Sequence, residues 1–163
     1  MILQSQRLRF RSFIKNDEKE LIKILNDKSV TKWIQLPFPY TKKHFDWWIN
    51  FGSKEKYHFA IETIDTNNLV GSLKITLDGE IGCWIGKKYW NRGFASESIE
   101  RIKQFGFTKL KLDKLWSATQ KENKTVFRLM EKTGFTRVVD RPYYVKGIGH
   151  TKMRAHFELV NRP

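Results

Sequence analysis

Cysteine, proline and long apolar runs are all scarce in this sequence of 163 residues. Its single cysteine, Cys83, cannot form an internal disulfide, and one cysteine also excludes a metal cluster of the Cys-x-x-Cys kind. No stretch approaches the roughly 18 apolar residues that a membrane-spanning helix requires, and the N-terminus shows no signal peptide. We therefore expect a soluble, cytoplasmic protein that uses no metal ion and no membrane partner.

Acidic side chains are also in short supply. There are 17 Asp and Glu against 31 Lys and Arg, which leaves a net charge of +14 and a pI near 9.9. Such an excess favours a polyanionic ligand or neighbour, although a solvated basic surface explains any single run equally well. A nucleic-acid-binding or ribosome-associated module therefore stays as an alternative function, even though no RRM, zinc-finger or helix-turn-helix motif is visible.

Internal repeats, Gly/Ser linkers and proline-rich stretches are absent as well, which leaves no boundary between domains. Hydrophobic residues form 40% of the chain and aromatic residues 14%, enough apolar bulk to bury a core and to exclude a disordered chain. The sequence therefore predicts one domain, residues 1–163.

The spacing of apolar residues changes several times along the chain between a period of two and a helical period. The Asp78-Gly79 pair is a strong hairpin signal, and the strand–helix–strand order after it implies a parallel crossover. We predict an α+β (mixed α/β) fold with a mostly antiparallel central sheet of about seven strands and four flanking helices. The predicted strands are 7–13, 57–64, 69–77, 80–85, 114–118, 135–139 and 151–159, and the predicted helices begin after Asn16-Asp17, at Thr41, at Gly93 and at Asn123.

The most informative segment runs from Gly82 to Ser98, where a buried strand leads through a basic loop into an amphipathic helix. A helix N-terminus offers unpaired N–H groups and the positive end of a dipole, so this turn is suited to a phosphate. A purely structural turn is the alternative. The glycine spacing fits neither a P-loop nor a Rossmann fingerprint, which argues against a nucleotide triphosphatase or a dehydrogenase.

Three stretches of the chain together resemble the GNAT acetyltransferases. They are Ile81–Gly86, Tyr89–Glu97 and Glu122–Phe135. The middle stretch is similar to the Tyr-Trp-x-x-Gly-Tyr-Ala-x-Glu pattern of the ribosomal-protein (Rim-type) branch, and Asn123 precedes Gly134-Phe135 by the same eleven residues as in that branch. The resemblance extends over nearly the whole chain.

The resemblance implies a GNAT fold, acetyl-CoA as cosubstrate and an acceptor amine. It assigns a strand that pairs with the pantetheine arm to Trp84, Ile85 and Gly86, and a contact near the reacting end of acetyl-CoA to Asn123, for which a helix N-cap is the alternative. The implied pyrophosphate loop consists of Asn91, Arg92, Gly93, Phe94, Ala95 and Ser96.

Two positions depart from the family pattern. Met130 stands where many GNAT enzymes carry a tyrosine that protonates the leaving thiolate, and Val126 stands where some Rim-type members carry a serine. The sequence therefore identifies no general acid, and proximity and water remain as the alternative. A degenerate GNAT protein that binds acetyl-CoA without catalysis is a further alternative function.

If the resemblance holds, a primary amine of a protein N-terminus or a small molecule attacks the thioester directly, which requires a base and oxyanion donors. Backbone N–H groups near Trp84 and Ile85 are the expected donors. Glu80 is the first candidate base, and its alternative is a surface carboxylate paired with a lysine. Glu62, His58 and Tyr89 are weaker candidates, and Cys83 is expected in the core rather than as an acyl carrier.

The acceptor is less well defined than the cosubstrate. Trp33, Trp47, Trp48 and the Tyr143-Tyr144 pair are candidates to line its cleft, with core packing as the alternative. The basic balance argues against a polycationic acceptor and is compatible with an acceptor presented on a ribosome. We expect a monomer or a homodimer.

Overall fold

The computed structural model describes residues 2–34, 36–145 and 149–161 and places them in eight strands and five α-helices. The strands are β1 (Leu3–Gln4), β2 (Leu8–Arg11), β3 (His58–Thr63), β4 (Leu69–Ile75), β5 (Ile81–Ile85), β6 (Lys114–Thr119), β7 (Thr136–Val145) and β8 (His150–Val160). The helices are α1 (Glu18–Leu25), α2 (Lys28–Ile34), α3 (Lys42–Asn50), α4 (Phe94–Thr108) and α5 (Lys124–Lys132). Within these ranges no helix is long and apolar enough to cross a membrane.

The strands form two sheets rather than one. Five antiparallel strands follow in chain order from β1 to β5, and the second sheet has the order β6-β8-β7. A parallel bridge between Glu80 and Trp116 joins the two sheets, where the N–H of Trp116 donates to the carbonyl of Gly79 at 2.9 Å. The predicted α+β class and parallel crossover are confirmed, while the predicted single sheet of seven strands is wrong because the sheet divides beyond this bridge.

The sequence analysis did not predict two secondary-structure elements, β1 and α2. Strand β1 has two residues, which are too few to show a periodic pattern. It is a strand only because it pairs with β2. Helix α2 has only Val30 and Thr31 buried, so it carries no apolar stripe of the usual width. The count of helices is therefore five rather than four. Within the apolar segment 33–40, Gln35 lies outside the described residues.

Helices cover both faces of the first sheet. On one face, α4 buries Ile99, Ile102 and Phe105 against the apolar side of the strands. On the other face, α1 and α3 bury Leu21 and Phe45 in a second cluster. Each fully buried side chain of this size contributes roughly 1.5–3 kcal/mol, so the two clusters hold the sheet rigidly between its helices. This rigidity fixes the position of β5 relative to the helix that follows it.

A buried ion network secures β2, β3 and the turn before α1. Glu62 accepts from Arg9 at 2.5 Å and from Arg11 at 2.6 Å, and the second carboxylate on Arg11 is Asp17, at 2.8 Å. Asp17 also accepts from the N–H of Ile14 at 2.9 Å, so it caps the short 3₁₀ turn rather than α1. The hydrogen bonds that Arg11 donates to Asp17, and then the one that it donates to Glu62, raise the pKa of Arg11 against the effect of burial. Glu62 is thus a structural carboxylate.

Candidate active site

The backbone groups of β5 divide between two edges. Gly86 donates its N–H to the carbonyl of Val70 at 2.8 Å, which makes the two a hydrogen-bonded pair between β5 and β4. Because such pairs alternate in an antiparallel ladder, the observed register turns the even-numbered residues of β5 toward β4. The odd-numbered residues Ile81, Cys83 and Ile85 therefore point their backbone groups at the opposite edge, where the two sheets separate.

This open edge presents two backbone donors, the N–H groups of Cys83 and Ile85. The carbonyl of Ile85 accepts from Nε1 of Trp90 at 2.7 Å, so the indole ties the end of the strand to the following loop. The expected pairing through Trp84 and Gly86 does not fit this register, because their backbone groups face β4, and the side chain of Trp84 packs on the cluster around α1 and α3. An extended chain pairing here would use Cys83 and Ile85.

The loop before α4 has the backbone shape of an anion site. Asn91 and Gly93 both adopt positive φ, of 61° and 77°, and Gly93 occupies the N-cap position without a side-chain cap. The first backbone hydrogen bond of α4 runs from the N–H of Glu97 to the carbonyl of Gly93 at 3.0 Å. The N–H groups of Phe94, Ala95 and Ser96 precede that bond and belong to the orphan donors of a helix start.

Basic residues in and before this loop, which we call the loop 91–96, add positive charge to the region. Arg92 within the loop and Lys87 and Lys88 shortly before it in the sequence are exposed. Phe94 is buried and anchors the first turn in the core. The six residues expected in a pyrophosphate loop thus form one continuous turn at the end of β5, where dipole, donors and charge favour an anion.

Asn123 is the N-cap of α5. Its side-chain oxygen accepts from Val126 N–H at 3.4 Å, and its amide nitrogen donates to Oγ1 of Thr119 at 3.4 Å. The side chain lies at the end of β6 and is buried. The N-cap alternative is therefore confirmed, and the cap fixes the amide just beyond the end of β6.

Replacing Asn123 with alanine is expected to lower the free energy of unfolding by about 1 kcal/mol, because the cap bond of α5 is lost. Asn123→Asp keeps an N-cap acceptor and is expected to retain most of that stability. Urea denaturation of both variants checks this, and equal losses in the two would contradict the capping role.

Glu80 lies where the two sheets meet. Its Oε1 accepts from the hydroxyl of Tyr143 at 2.7 Å and from Nζ of Lys74 at 3.1 Å, and its side chain is only 17% exposed. Burial, together with the hydrogen bond to Glu80, raises the pKa of Tyr143 so that its hydroxyl stays protonated and donates. The expected pairing with a lysine is present, but the carboxylate is mostly buried rather than on the open surface. We call the junction of the two sheets at Glu80, Trp116 and Tyr143 the cleft.

Trp116 and His156 continue the wall of the cleft beyond Tyr143. The rings of Trp116 and Tyr143 are 6.4 Å apart, and His156 stacks on Trp116 at 5.4 Å with an interplanar angle of 9°. Neither ring nitrogen of His156 has a hydrogen-bond partner within the described residues. Sequence reasoning assigned no role to Trp116 or His156 because their neighbours lie in distant strands, and it placed Tyr143 only as a candidate lining residue.

The weaker candidate bases lie away from this cleft. His58 is enclosed between Phe13 and Trp48, bonds Ser72 through Nε2 at 2.9 Å, and has its pKa lowered to about 4 by burial and then by Lys74. Tyr89 is part of the core. These residues are occupied by packing, as Glu62 is by its ion network.

Cys83 and Met130 both behave as apolar side chains. Burial raises the pKa of the Cys83 thiol to about 12, so it stays protonated at neutral pH and is a poor nucleophile. Met130 lies on α5 and is buried in the hydrophobic core, at the position where the family pattern places an acid. Within the described residues, no three His, Cys, Asp or Glu side chains are grouped to hold a metal ion.

An open strand edge next to an uncapped helix start is the arrangement that the sequence resemblance implied for an acyltransferase, and comparison with known proteins gives the family. A family model described as an acetyltransferase (GNAT) domain matches residues 7–136. The chain therefore belongs to the GNAT acetyltransferase family.

Individual relatives extend over nearly the full length. An uncharacterized N-acetyltransferase, p20, of Bacillus licheniformis is 27% identical over 98% of this chain and 96% of its own. A GNAT-family acetyltransferase structure from Bacillus anthracis superimposes with a TM-score of 0.84 at 25% identity, covering 98% of both chains. The structure of RimL, a ribosomal L7/L12 α-N-protein acetyltransferase in complex with coenzyme A, shares the fold with a TM-score of 0.74 at 16% identity and 98% coverage of both chains.

Proposed function

We propose that this chain, as a single catalytic domain spanning residues 1–163, transfers an acetyl group from acetyl-CoA directly to a primary amine. The observation that carries the proposal is the position of Glu80 at one end of β5 and of the loop 91–96 beyond the other end. From Glu80 to Gly86 the strand advances about 20 Å at roughly 3.3 Å per residue. An extended cosubstrate along this edge would join an anion site to a carboxylate.

The chain's own groups fit coenzyme A along this path. The N–H groups of the loop 91–96 and the exposed Lys87, Lys88 and Arg92 suit a diphosphate, with Gly93 allowing close approach. Cys83 and Ile85 offer the backbone donors for the amide chain of the pantetheine arm, in the manner of an added strand. Asn123, just beyond the end of β6, would lie near the thioester. Bound acetyl-CoA supplies an acetyl group activated as a thioester.

The acceptor side supplies the proton chemistry. We propose that Glu80 takes the proton that the amine must lose before its nitrogen attacks the carbonyl carbon, and that Tyr143 and Lys74 hold the carboxylate in place. As the new C–N bond forms and the C–S bond breaks, a backbone N–H on the open edge of β5 stabilises the oxyanion. As the C–S bond breaks, the second proton that the nitrogen must lose passes through water to the departing thiolate, since Met130 offers no proton.

The acceptor we propose is an amine with a single positive charge, an N-terminal α-amine or a small-molecule amine. The net charge of +14 counts against an acceptor that carries a second ammonium group. The Rim-type sequence pattern and the fold shared with RimL are compatible with an α-amine.

The net charge of +14 is the observation that favours a second candidate, a nucleic-acid-binding or ribosome-associated module. Met130 and Val126 favour a third, a GNAT protein that binds acetyl-CoA without catalysis. Thermal unfolding with acetyl-CoA, CoA and ATP at matched ionic strength separates the candidates, since a ligand at about 100 times its Kd adds roughly 2.7 kcal/mol of stability. Stabilisation by both CoA species but not by ATP, followed by turnover with an amine panel, supports the proposed function. Equal stabilisation by every polyphosphate supports the second candidate, and CoA binding without turnover supports the third.

Gly93→Ala is expected to weaken CoA binding by roughly tenfold or more, which corresponds to about 1.4 kcal/mol. A Cβ at this position strains the left-handed backbone and stands where a diphosphate would approach the N–H groups. Gly149→Ala is the matched control, because Gly149 has φ 69° and no atom within 4 Å of the added carbon. Isothermal titration with CoA checks the pair, and equal affinities in the two variants would contradict the role of the loop.

A further inference from the structure

The carboxylate of Glu97 lies in the first turn of α4, directly behind the loop 91–96. It accepts three hydrogen bonds from the turn between β1 and β2. The backbone N–H of Arg7 donates to Oε1 at 2.8 Å, Nε of Arg7 donates to Oε2 at 2.7 Å, and the hydroxyl of Ser5 donates to Oε1 at 2.8 Å. Two residues that lie 90 and 92 positions earlier in the sequence therefore hold the start of α4.

Arg7 reaches past Glu97 to the loop itself. Its Nη1 donates to the carbonyl of Arg92 at 2.9 Å, and its guanidinium lies 4.8 Å from the centre of the Phe94 ring. The second guanidinium nitrogen is 3.4 Å from the point where a Cβ on Gly93 would stand. One side chain thus contacts or borders three consecutive residues of the loop.

The charge of Glu97 needs this partner if the loop is to hold an anion. Burial raises the pKa of Glu97, but the hydrogen bonds from Arg7 and Ser5 outweigh it and leave the pKa below its usual value, so the carboxylate is ionised. An uncompensated carboxylate one turn from the helix N-terminus would oppose a diphosphate bound there. Arg7 compensates that charge and also holds the Arg92 carbonyl through a hydrogen bond.

Arg7 contributes little to stability by this contact. Its side chain is 48% exposed, and ion pairs at such sites usually add only about 0–1 kcal/mol. Holding the long Arg7 side chain in one conformation costs conformational entropy, and the small gain from an exposed ion pair does little to offset it. We therefore look for a role of this contact in function rather than in folding.

We propose that Arg7 is a positioning residue for cosubstrate binding, which neutralises Glu97 and orders residues 92–94 so that the loop can accept the diphosphate of CoA. The inference rests on the proposed function of the loop. It adds to that function a residue of the N-terminal segment, Arg7, which does not itself need to contact the cosubstrate.

Arg7→Ala is expected to raise the KM for acetyl-CoA and the Kd for CoA by roughly ten- to a hundredfold while kcat changes less than about twofold, because only binding is affected. The double variant Arg7→Ala/Glu97→Gln is expected to recover most of the affinity, since it also removes the uncompensated charge. A merely structural clasp would make the double variant as poor as the single one or poorer.

Arg101→Ala is the matched control. Nε of Arg101 donates to the carbonyl of Gln4 at 2.7 Å, so it ties the same N-terminal segment to the same helix without contacting the loop. Wild-type affinity in Arg101→Ala with weakened binding in Arg7→Ala supports the proposal. Wild-type affinity in Arg7→Ala, or no recovery in the double variant, overturns it while the proposed function stands. Failure of the wild-type chain to bind CoA overturns both.

Discussion

Glu80→Gln is expected to lower kcat about 10²- to 10⁴-fold, the range usually lost with a general base, while the KM for acetyl-CoA stays nearly constant. Glutamine keeps the shape of the side chain and still accepts from Tyr143, but it cannot take a proton from the amine. Steady-state kinetics with an amine acceptor measure both constants, and CoA titration confirms that the cosubstrate site is intact.

Tyr143→Phe provides the control for Glu80. It removes one hydrogen bond to Oε1 and leaves the contact with Lys74, so we expect a smaller loss of kcat than in Glu80→Gln. A Glu80→Gln variant that keeps half or more of the wild-type kcat would show that the base is another group of the cleft. Equal losses in the two variants would instead indicate that Tyr143 takes part in the proton transfer directly.

Glu62→Ala is expected to destabilise the chain by about 3–5 kcal/mol, because it leaves Arg9 and Arg11 without their shared partner in a largely buried network. Asp17 retains its bond to Arg11 and keeps part of the network. Urea denaturation measures the loss, and kcat per folded molecule is expected to stay at the wild-type level because Glu62 lies outside the cleft.

Glu100→Ala is the comparison for this stability effect. Its partner is Lys103 on the same helix, and the Glu100 side chain is 54% exposed, so removal is expected to cost less than about 1 kcal/mol. A loss in Glu62→Ala as small as that in Glu100→Ala would contradict the structural role of the network. Normal stability with lost activity would return Glu62 to the list of candidate bases.

Local chemistry made much of the fold and of the candidate cosubstrate site predictable. Gly93 and Gly134 end or begin helices with φ of 77° and 89°, and Gly79 turns a hairpin with φ 88°. These positions depend on the backbone conformation that a single residue permits, and such preferences are visible in sequence. The residues of the loop 91–96 are consecutive, so their grouping required no knowledge of tertiary contacts.

The acceptor side was not predictable in the same way. Glu80 and Tyr143 are 63 positions apart, and β8 lies between the strand of Tyr143 and β6, so their contact depends on how the two sheets are arranged. Likewise Arg7 and Glu97 are 90 positions apart. No periodic pattern encodes such contacts, because they depend on how the sheets divide after the Glu80–Trp116 bridge.

The net charge of the sequence was informative about the kind of ligand, whereas the role of a single charged residue could not be inferred from the sequence. The sequence indicated a polyanionic partner, and the structure leaves Lys87, Lys88 and Arg92 exposed shortly before the uncapped start of α4. Glu62 looked like a candidate base in the sequence, yet two arginines occupy it. A carboxylate's role follows from its partners, and those are set by the fold.

Amide hydrogen exchange measured by NMR with and without CoA tests the central claim most directly. If the open edge of β5 and the loop 91–96 bind the cosubstrate, CoA will slow exchange at Cys83, Ile85 and the first amides of α4. Trp84, already paired with β4, will keep its exchange rate. Unchanged exchange at Cys83 and Ile85 in a chain saturated with CoA would contradict the account, because the cosubstrate would then bind elsewhere.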